Sequence, residues 1–260
     1  MTKDNVIFFK KWFSNYCKSF YSPNSEDQKN IHLKEEHTFH VCKNILEIAK
    51  ELSLSESEMM LAETVALFHD IGRFPQYAKF KTFRDSISVN HGFLGARTLL
   101  EEKQLQILPD KEQELIIQAV RFHNAFSISK GVGEDIVFFI KLIRDADKLD
   151  IWRVFLEFYE GPEEERASAV SLGLPDTPGY SEEVLSHIHG GQMAPLSKAK
   201  TLNDFKLVQL SWIYDLNFSP SFKMLLERNY IDRIVSKLPQ RSEIEMAALA
   251  LKEFVHKVLT

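Results

Sequence analysis

Residues 66–74 read Ala66-Leu67-Phe68-His69-Asp70-Ile71-Gly72-Arg73-Phe74. An apolar helix end runs into an imidazole and a carboxylate side by side, followed by a glycine and a cation. Burying an unpaired charge is costly, so a His-Asp doublet in hydrophobic surroundings needs a partner. A divalent cation satisfies a nitrogen and an oxygen donor at once. Whether the doublet is a metal site depends on whether other parts of the chain supply further ligands.

Working outward, Ser53 or Ser55 starts the helix that carries the doublet, with Glu56 and Glu58 suited to its positive end. That helix is expected to end at Asp70, with Gly72 as its stop. Upstream, Leu33, Val41, Ile45, Ile48 and Leu52 recur at helical spacing and predict a helix from about 31 to 52. An aromatic helix with Ile7, Phe8, Trp12 and Phe13 precedes it over 5–20 and ends at the turn Ser22-Pro23-Asn24-Ser25. Downstream, 74–90 is a loop or short-helix region with Pro75 and the aromatics Phe74, Tyr77, Phe80 and Phe83. Helices follow at 88–103, 110–124 and 134–160, the last broken by Gly161-Pro162. Residues 161–200 read as a long loop with short helical pieces, and helices resume at 203–216, 219–238 with a break, and 242–258. With no strand pattern, the fold class is all-α. Phe205, Leu207, Leu210, Trp212 and Ile213 need apolar cover, so 161–200 is read as an insertion within one helical domain spanning 1–260.

Helical offsets of three, four and seven identify which side chains point inward. His37 lies with Leu33, Val41 and Ile48; His69 with Ala62, Val65 and Ala66; His91 with Leu94, Gly95 and Thr98. His123 lies with Ile116, Ala119 and Val120, and Asp147 with Ile140, Ile143, Ile151 and Val154. His40 falls with Glu36, Asn44 and Glu47 and should face solvent. One histidine on an apolar face is usually a core residue bonded to a carbonyl. Six such ligands on five helices, with no buried Lys or Arg expected opposite each, favour a metal. Asp70 is the natural bridge, with His37, His69, Asp70 and Asp147 on one ion and Asp70, His91 and His123 on a second. Imidazole and carboxylate without thiolate suit one or two divalent ions of Mn, Fe, Co, Ni, Zn or Mg. Asp85, Asn90 and Asn124 are either orienting groups or turn residues, and Asp145 and Asp150 are orienting or ion-pair residues. The 74–83 aromatics either wall a pocket or belong to the core. His187 and His189 beside Gly190-Gly191 fit a flexible loop without metal, and His32 and His256 the surface.

Composition narrows the function. The formal charge of −5 gives no basic field for nucleic acid or anionic membrane, and no apolar run is long enough to span a bilayer. The two cysteines, Cys17 and Cys42, have no zinc spacing and fit a reduced, cytoplasmic setting.

His37, His69-Asp70 and Asp147 within Arg144-Asp145-Ala146-Asp147-Lys148-Leu149-Asp150 resemble the H…HD…D signature of the HD-domain metal-dependent phosphohydrolase superfamily. Asn90-His91-Gly92-Phe93-Leu94-Gly95 looks like its second-metal segment, and Arg121-Phe122-His123-Asn124 is similar to its later histidine site. His-Asp-Ile-Gly-Arg-Phe and Trp212-Ile213-Tyr214-Asp215-Leu216-Asn217-Phe218 also resemble uncharacterised HD-domain proteins. The resemblance implies an HD-domain-like helical bundle, with a metal-binding core at about 30–160 and a helical extension at about 161–260. It further implies a hydrolase of a nucleotide or other small phosphate ester, working through a metal-activated water. Asp70, Arg73 and Lys148 would be catalytic, and Arg73, Asn124 and Lys148 would contact substrate. Arg73 reads equally as a capping cation at a helix end. Asn124 stands where cyclic-di-GMP phosphodiesterases carry a second histidine, and no Gly-Tyr-Pro follows. Nor does an acidic pair follow the doublet as in alarmone hydrolases, or the acid that HD-type 5′-nucleotidases carry just after it. The same six ligands also resemble the superfamily's di-iron oxygenases, and a non-catalytic binding module is the third reading.

Overall fold

The computed structural model describes residues 1–128 and 131–260. Among them the chain forms twelve α-helices, joined by loops and short 3-10 turns, and no strand. The helices are α1 (Lys3–Lys18), α2 (Ser25–Glu51), α3 (Glu56–Phe68), α4 (Arg73–Phe80), α5 (His91–Glu102) and α6 (Asp110–Phe122). After them come α7 (Glu134–Glu160), α8 (Glu182–His189), α9 (Leu202–Ser211), α10 (Ser219–Glu227), α11 (Tyr230–Val235) and α12 (Ser242–Leu259).

Local sequence explains most boundaries. Ser55 accepts from the Glu58 backbone N–H while Glu58 reaches back to the Ser55 N–H, a capping box that starts α3 where expected. α2 starts at Ser25, earlier than the apolar pattern indicated, because Asn24 accepts from Asp27 N and Glu26 and Asp27 suit the helix N-terminus. Its first turns are largely polar and carry little periodic signal. α7 matches the expected 134–160 and stops at Gly161.

The region around the doublet differs from expectation. α3 ends at Phe68, so His69 and Asp70 lie in the following turn rather than inside the helix. Gly72 is no left-handed helix stop: its φ is −67° and it leads directly into α4, which occupies part of the stretch read as loop or short helix. Glycine is required there for space. A Cβ on Gly72 would lie 2.3 Å from His91 O and 2.6 Å from Gly95 N. The backbone after the doublet therefore touches the first turn of α5, which sets how close His91 comes to Asp70.

The two long helices α2 and α7 pack along each other, and α3 fits against both. α6 packs against α3, α5 and α7, while α1 covers α3. The later helices join the same apolar core: α10 packs on α2 and α7, and α11 on α7 and α9. Within 161–200, read as a long loop with short helical pieces, Glu182–His189 form the short helix α8, so His187 and His189 lie on a helix rather than in a loop; α8 packs on α9 and α12, with Val184, Leu185 and Ile188 buried. No helix is long and apolar enough to cross a membrane among the described residues.

Asp145 joins the two halves. Its buried carboxylate accepts from the backbone N–H groups of Asn217 and Phe218 and from Asn217 Nδ2 at 2.9–3.1 Å. It makes no ion pair among the described residues; it caps the approach to α10.

Candidate metal centre

Six predicted ligands converge at the junction of α2, α3, α5, α6 and α7. His37 and Asp147 project from within α2 and α7, and His91 is the first residue of α5. His69 and His123 cap the C-termini of α3 and α6 rather than sitting inside them. All four histidines are buried.

Each imidazole is oriented by an acceptor on its Nδ1. His69 Nδ1 donates to Ala66 O at 2.6 Å, and His123 Nδ1 to Val120 O at 2.7 Å. These last-turn carbonyls have no partner within their helices, so a capping histidine satisfies each. His37 Nδ1 donates to Asp150 Oδ2 at 2.7 Å and His91 Nδ1 to Asp85 Oδ2 at 2.7 Å. A carbonyl or carboxylate accepts only, so the proton belongs to Nδ1 and each Nε2 faces inward, that of His37 also lying 3.1 Å from Asp147 Oδ1.

The inward atoms form two groups that share Asp70. His37 Nε2 lies 3.4 Å from His69 Nε2, and the two lie 3.6 and 3.7 Å from Asp70 Oδ2. Asp147 Oδ1 borders the same group, 3.1 Å from His37 Nε2 and 3.7 Å from His69 Nε2. On the other side, His91 Nε2 lies 3.0 Å from His123 Nε2, and the two lie 3.4 and 3.8 Å from Asp70 Oδ1. Asp70 thus offers one oxygen to each group.

These separations suit a cation. Ligands about 2.1 Å from an ion lie about 3.0 Å apart in an octahedron and about 3.4 Å apart in a tetrahedron. Two imidazole lone pairs facing each other at 3.0 Å have no donor between them. Leaving such an acceptor buried and unmatched costs on the order of 1–3 kcal/mol. Protonating one of each pair is opposed on the second side, where burial pushes His123 down to about 3 and also lowers His91; on the first side burial and Lys34 lower His37, but its hydrogen bonds to Asp147 and Asp150 outweigh them and raise it. The donor set therefore fits divalent metal in both groups, His37, His69 and Asp70 in one, and Asp70, His91 and His123 in the other.

The surrounding charges correct one expectation. Partly buried cations do stand opposite the doublet: Lys34 Nζ is 2.7 Å from Asp70 Oδ2, and Arg73 Nε is 3.4 Å from Asp70 Oδ1. Burial raises the Asp70 carboxyl, but Lys34, His69 and Arg73 outweigh it and hold the group well below the usual carboxylate range. Lys34 lies three residues before His37, a helical offset that would have placed it beside the site. Arg73 is no surface cap. Its Nη1 donates to Gln76 Oε1, Phe83 O and Asp85 Oδ1, so it braces the loop that holds Asp85 under His91.

The remaining candidates separate by contact. Asn124 Nδ2 donates to Asp85 Oδ2 at 3.1 Å, which makes it an orienting group, while Asn90 caps α5 by accepting from Phe93 N. Asp150 orients His37 and pairs with Arg153. Lys148 Nζ lies 2.7 Å from Asp215 Oδ2, which Arg144 shares at 2.6 Å. Asp215 was not among the sequence candidates; it lies in the 212–218 segment whose backbone Asp145 holds. Phe74 and Tyr77 belong to the core, and Phe83 lines the cavity beside the centre. His32 and His256 are exposed, and His187 and His189 join no metal-ligating group among the described residues.

His40 is half-buried rather than solvent-facing, and burial together with Arg153 lowers its imidazole below the ordinary value. Its side chain is outside both ligand groups, so H40A should leave metal content within experimental error of wild type by elemental analysis. Asp150→Ala should weaken metal binding about 10–100-fold in a chelator competition, the usual effect of losing the group behind a ligating histidine.

The HD domain family model matches residues 35–152, a span that contains all six candidate ligands. Neither a curated protein nor a solved structure matches the chain.

Proposed function

The chain carries an HD domain at residues 35–152, and from that premise we propose that it is a metal-dependent phosphohydrolase acting on a small phosphate ester. The observation that carries this reading is the convergence of four Nε2 atoms on the two oxygens of Asp70. His37, His69, Asp70 and Asp147 would hold one ion and Asp70, His91 and His123 a second. Divalent ions there supply Lewis acidity and bring the pKa of bound water toward neutrality.

The chain's own groups do the rest. Asp85 and Asp150 fix His91 and His37 by their Nδ1 protons, and the Ala66 and Val120 carbonyls fix the other two imidazoles. Among the described residues, five cations line the adjoining cavity: Lys34, Arg73, Arg84, Arg144 and Lys148. Lys34 and Arg73 are matched by Asp70 and Asp85, and Arg144 and Lys148 share Asp215. Arg84 donates to Ser86 Oγ and has no carboxylate partner among the described residues. Arg84, with Lys148, supplies positive charge for phosphoryl oxygens, where charge grows as the ester bond breaks.

The test is elemental analysis of the purified chain, followed by a phosphatase panel with Mn, Co, Ni and Mg beside an oxygen electrode. Up to two divalent ions per chain and metal-dependent phosphate release without oxygen uptake are expected. Oxygen consumption, or no phosphate release with any ion, would overturn the reading.

A further inference from the structure

The cavity beside the metal-ligating residues encloses about 820 Å³, within the range of small-molecule sites. Its two ends differ in chemistry. The ligands and the five cations occupy one end. The other begins one turn beyond Asp147, where Ile151 and Val154 continue the same face of α7, and runs on past Phe155 and Trp212. Residues 169–174 and 193–199 roof this end, so the stretch between α7 and α9 walls the site. Beyond Ile151, leaving aside Asp215 at the charged end, the lining side chains among the described residues carry only two ordinary hydrogen-bonding groups: the Trp212 indole N–H and the exposed Ser197 hydroxyl.

The roof is tied down. Ser168 N donates to Glu26 Oε1 at 3.0 Å, and Ala169 N to the buried Asn30 Oδ1 at 3.1 Å, which holds one edge to α2. Ala194 N donates to Ser211 Oγ at 2.9 Å, which holds the other edge to α9. The chamber is therefore preformed, and an occupant gains its burial without first ordering the walls.

A nucleobase carries several donors and acceptors that must find partners when desolvated, whereas a hydrocarbon chain carries none. The geometry points to a phosphate monoester of a medium-chain alkyl alcohol as the preferred substrate, its phosphate at the cationic end and its chain in the chamber. This rests on the phosphohydrolase reading above and replaces a nucleotide within it. Hydrolysis exchanges the P–O bond to the alcohol for one to a water oxygen, and a proton from that water passes to the departing alkoxide. Orthophosphate and the free alcohol result, and no oxidant is required.

Binding and turnover test the two readings separately. Alkylphosphonates from methyl to octyl, which cannot be hydrolysed, are titrated calorimetrically into the Mn²⁺-loaded full chain. Kd should fall about threefold to fourfold per added methylene, the factor that burying one methylene carries. V154N should raise the Kd of hexylphosphonate about tenfold, the cost of setting an amide against the chain, and change that of methylphosphonate less than twofold. A Kd independent of chain length, absence of binding, or tighter binding of adenosine 5′-monophosphate than of hexylphosphonate overturns the proposal, even if V154N fails to fold. Chain-length-dependent binding with no phosphate release from the matching alkyl phosphates would retain the chamber's specificity and overturn the hydrolase reading alone.

Discussion

Replacing Asp70 with alanine should remove metal from both halves of the centre at once and lower phosphate release by about a thousandfold or more. The reason is the division of its carboxylate, with Oδ2 facing His37 and His69 and Oδ1 facing His91 and His123. Among the described residues, Asp70 alone belongs to both candidate groups. A histidine variant on one side acts differently: H123A should lose the second ion while the first group keeps His37, His69, Asp70 and Asp147. Elemental analysis of D70A and H123A side by side therefore separates a bridged pair from two independent sites, and two ions retained in D70A would refute the bridge. D70A also leaves Lys34 and Arg73 facing a void. Removing one partner of a buried ion pair typically costs about 3–5 kcal/mol. D70N, which keeps the volume and an oxygen acceptor, controls for misfolding; it should fold and still lose tight metal binding.

The second large effect is on stability. Gly72→Ala should cost about 3 kcal/mol and lower the midpoint of thermal unfolding by about 6–12 °C in a chain of this size. The added methyl would meet the His91 carbonyl and the Gly95 amide, both backbone atoms of α5 that cannot rotate away. Relief requires α5 to move off the doublet, and His91 is its first residue. Metal affinity on the His91 and His123 side should therefore fall along with stability, while the His37 and His69 side is less affected. A midpoint within 2 °C of wild type would mean that the two segments separate freely and that Gly72 does not set their distance.

Gly72 also marks where sequence reasoning reached its limit. A glycine after an apolar helix commonly ends that helix in the left-handed conformation. Here the backbone stays right-handed and the constraint comes from a neighbouring helix. Lys34 escaped notice for a related reason: it was legible at a helical offset from His37, but its pairing with Asp70 depends on α2 meeting the turn after α3. Asp150 and Asp85 were recognised as candidates without their partners. His37 and Asp150 are 113 residues apart in sequence, so nothing local joins them.

The amino-acid sequence by itself determined the all-α class, most of the helices and the six inward-facing candidate ligands, because apolar spacing reports which side of a helix is buried. Polar residues on that side are few enough to count. Only the tertiary structure decided how the carboxylate of Asp70 is divided, which acceptor sets each imidazole, and that residues 169–174 and 193–199 close an apolar chamber over the site. Those features arise from helices meeting at particular distances, and periodicity along a chain contains no record of which helices become neighbours.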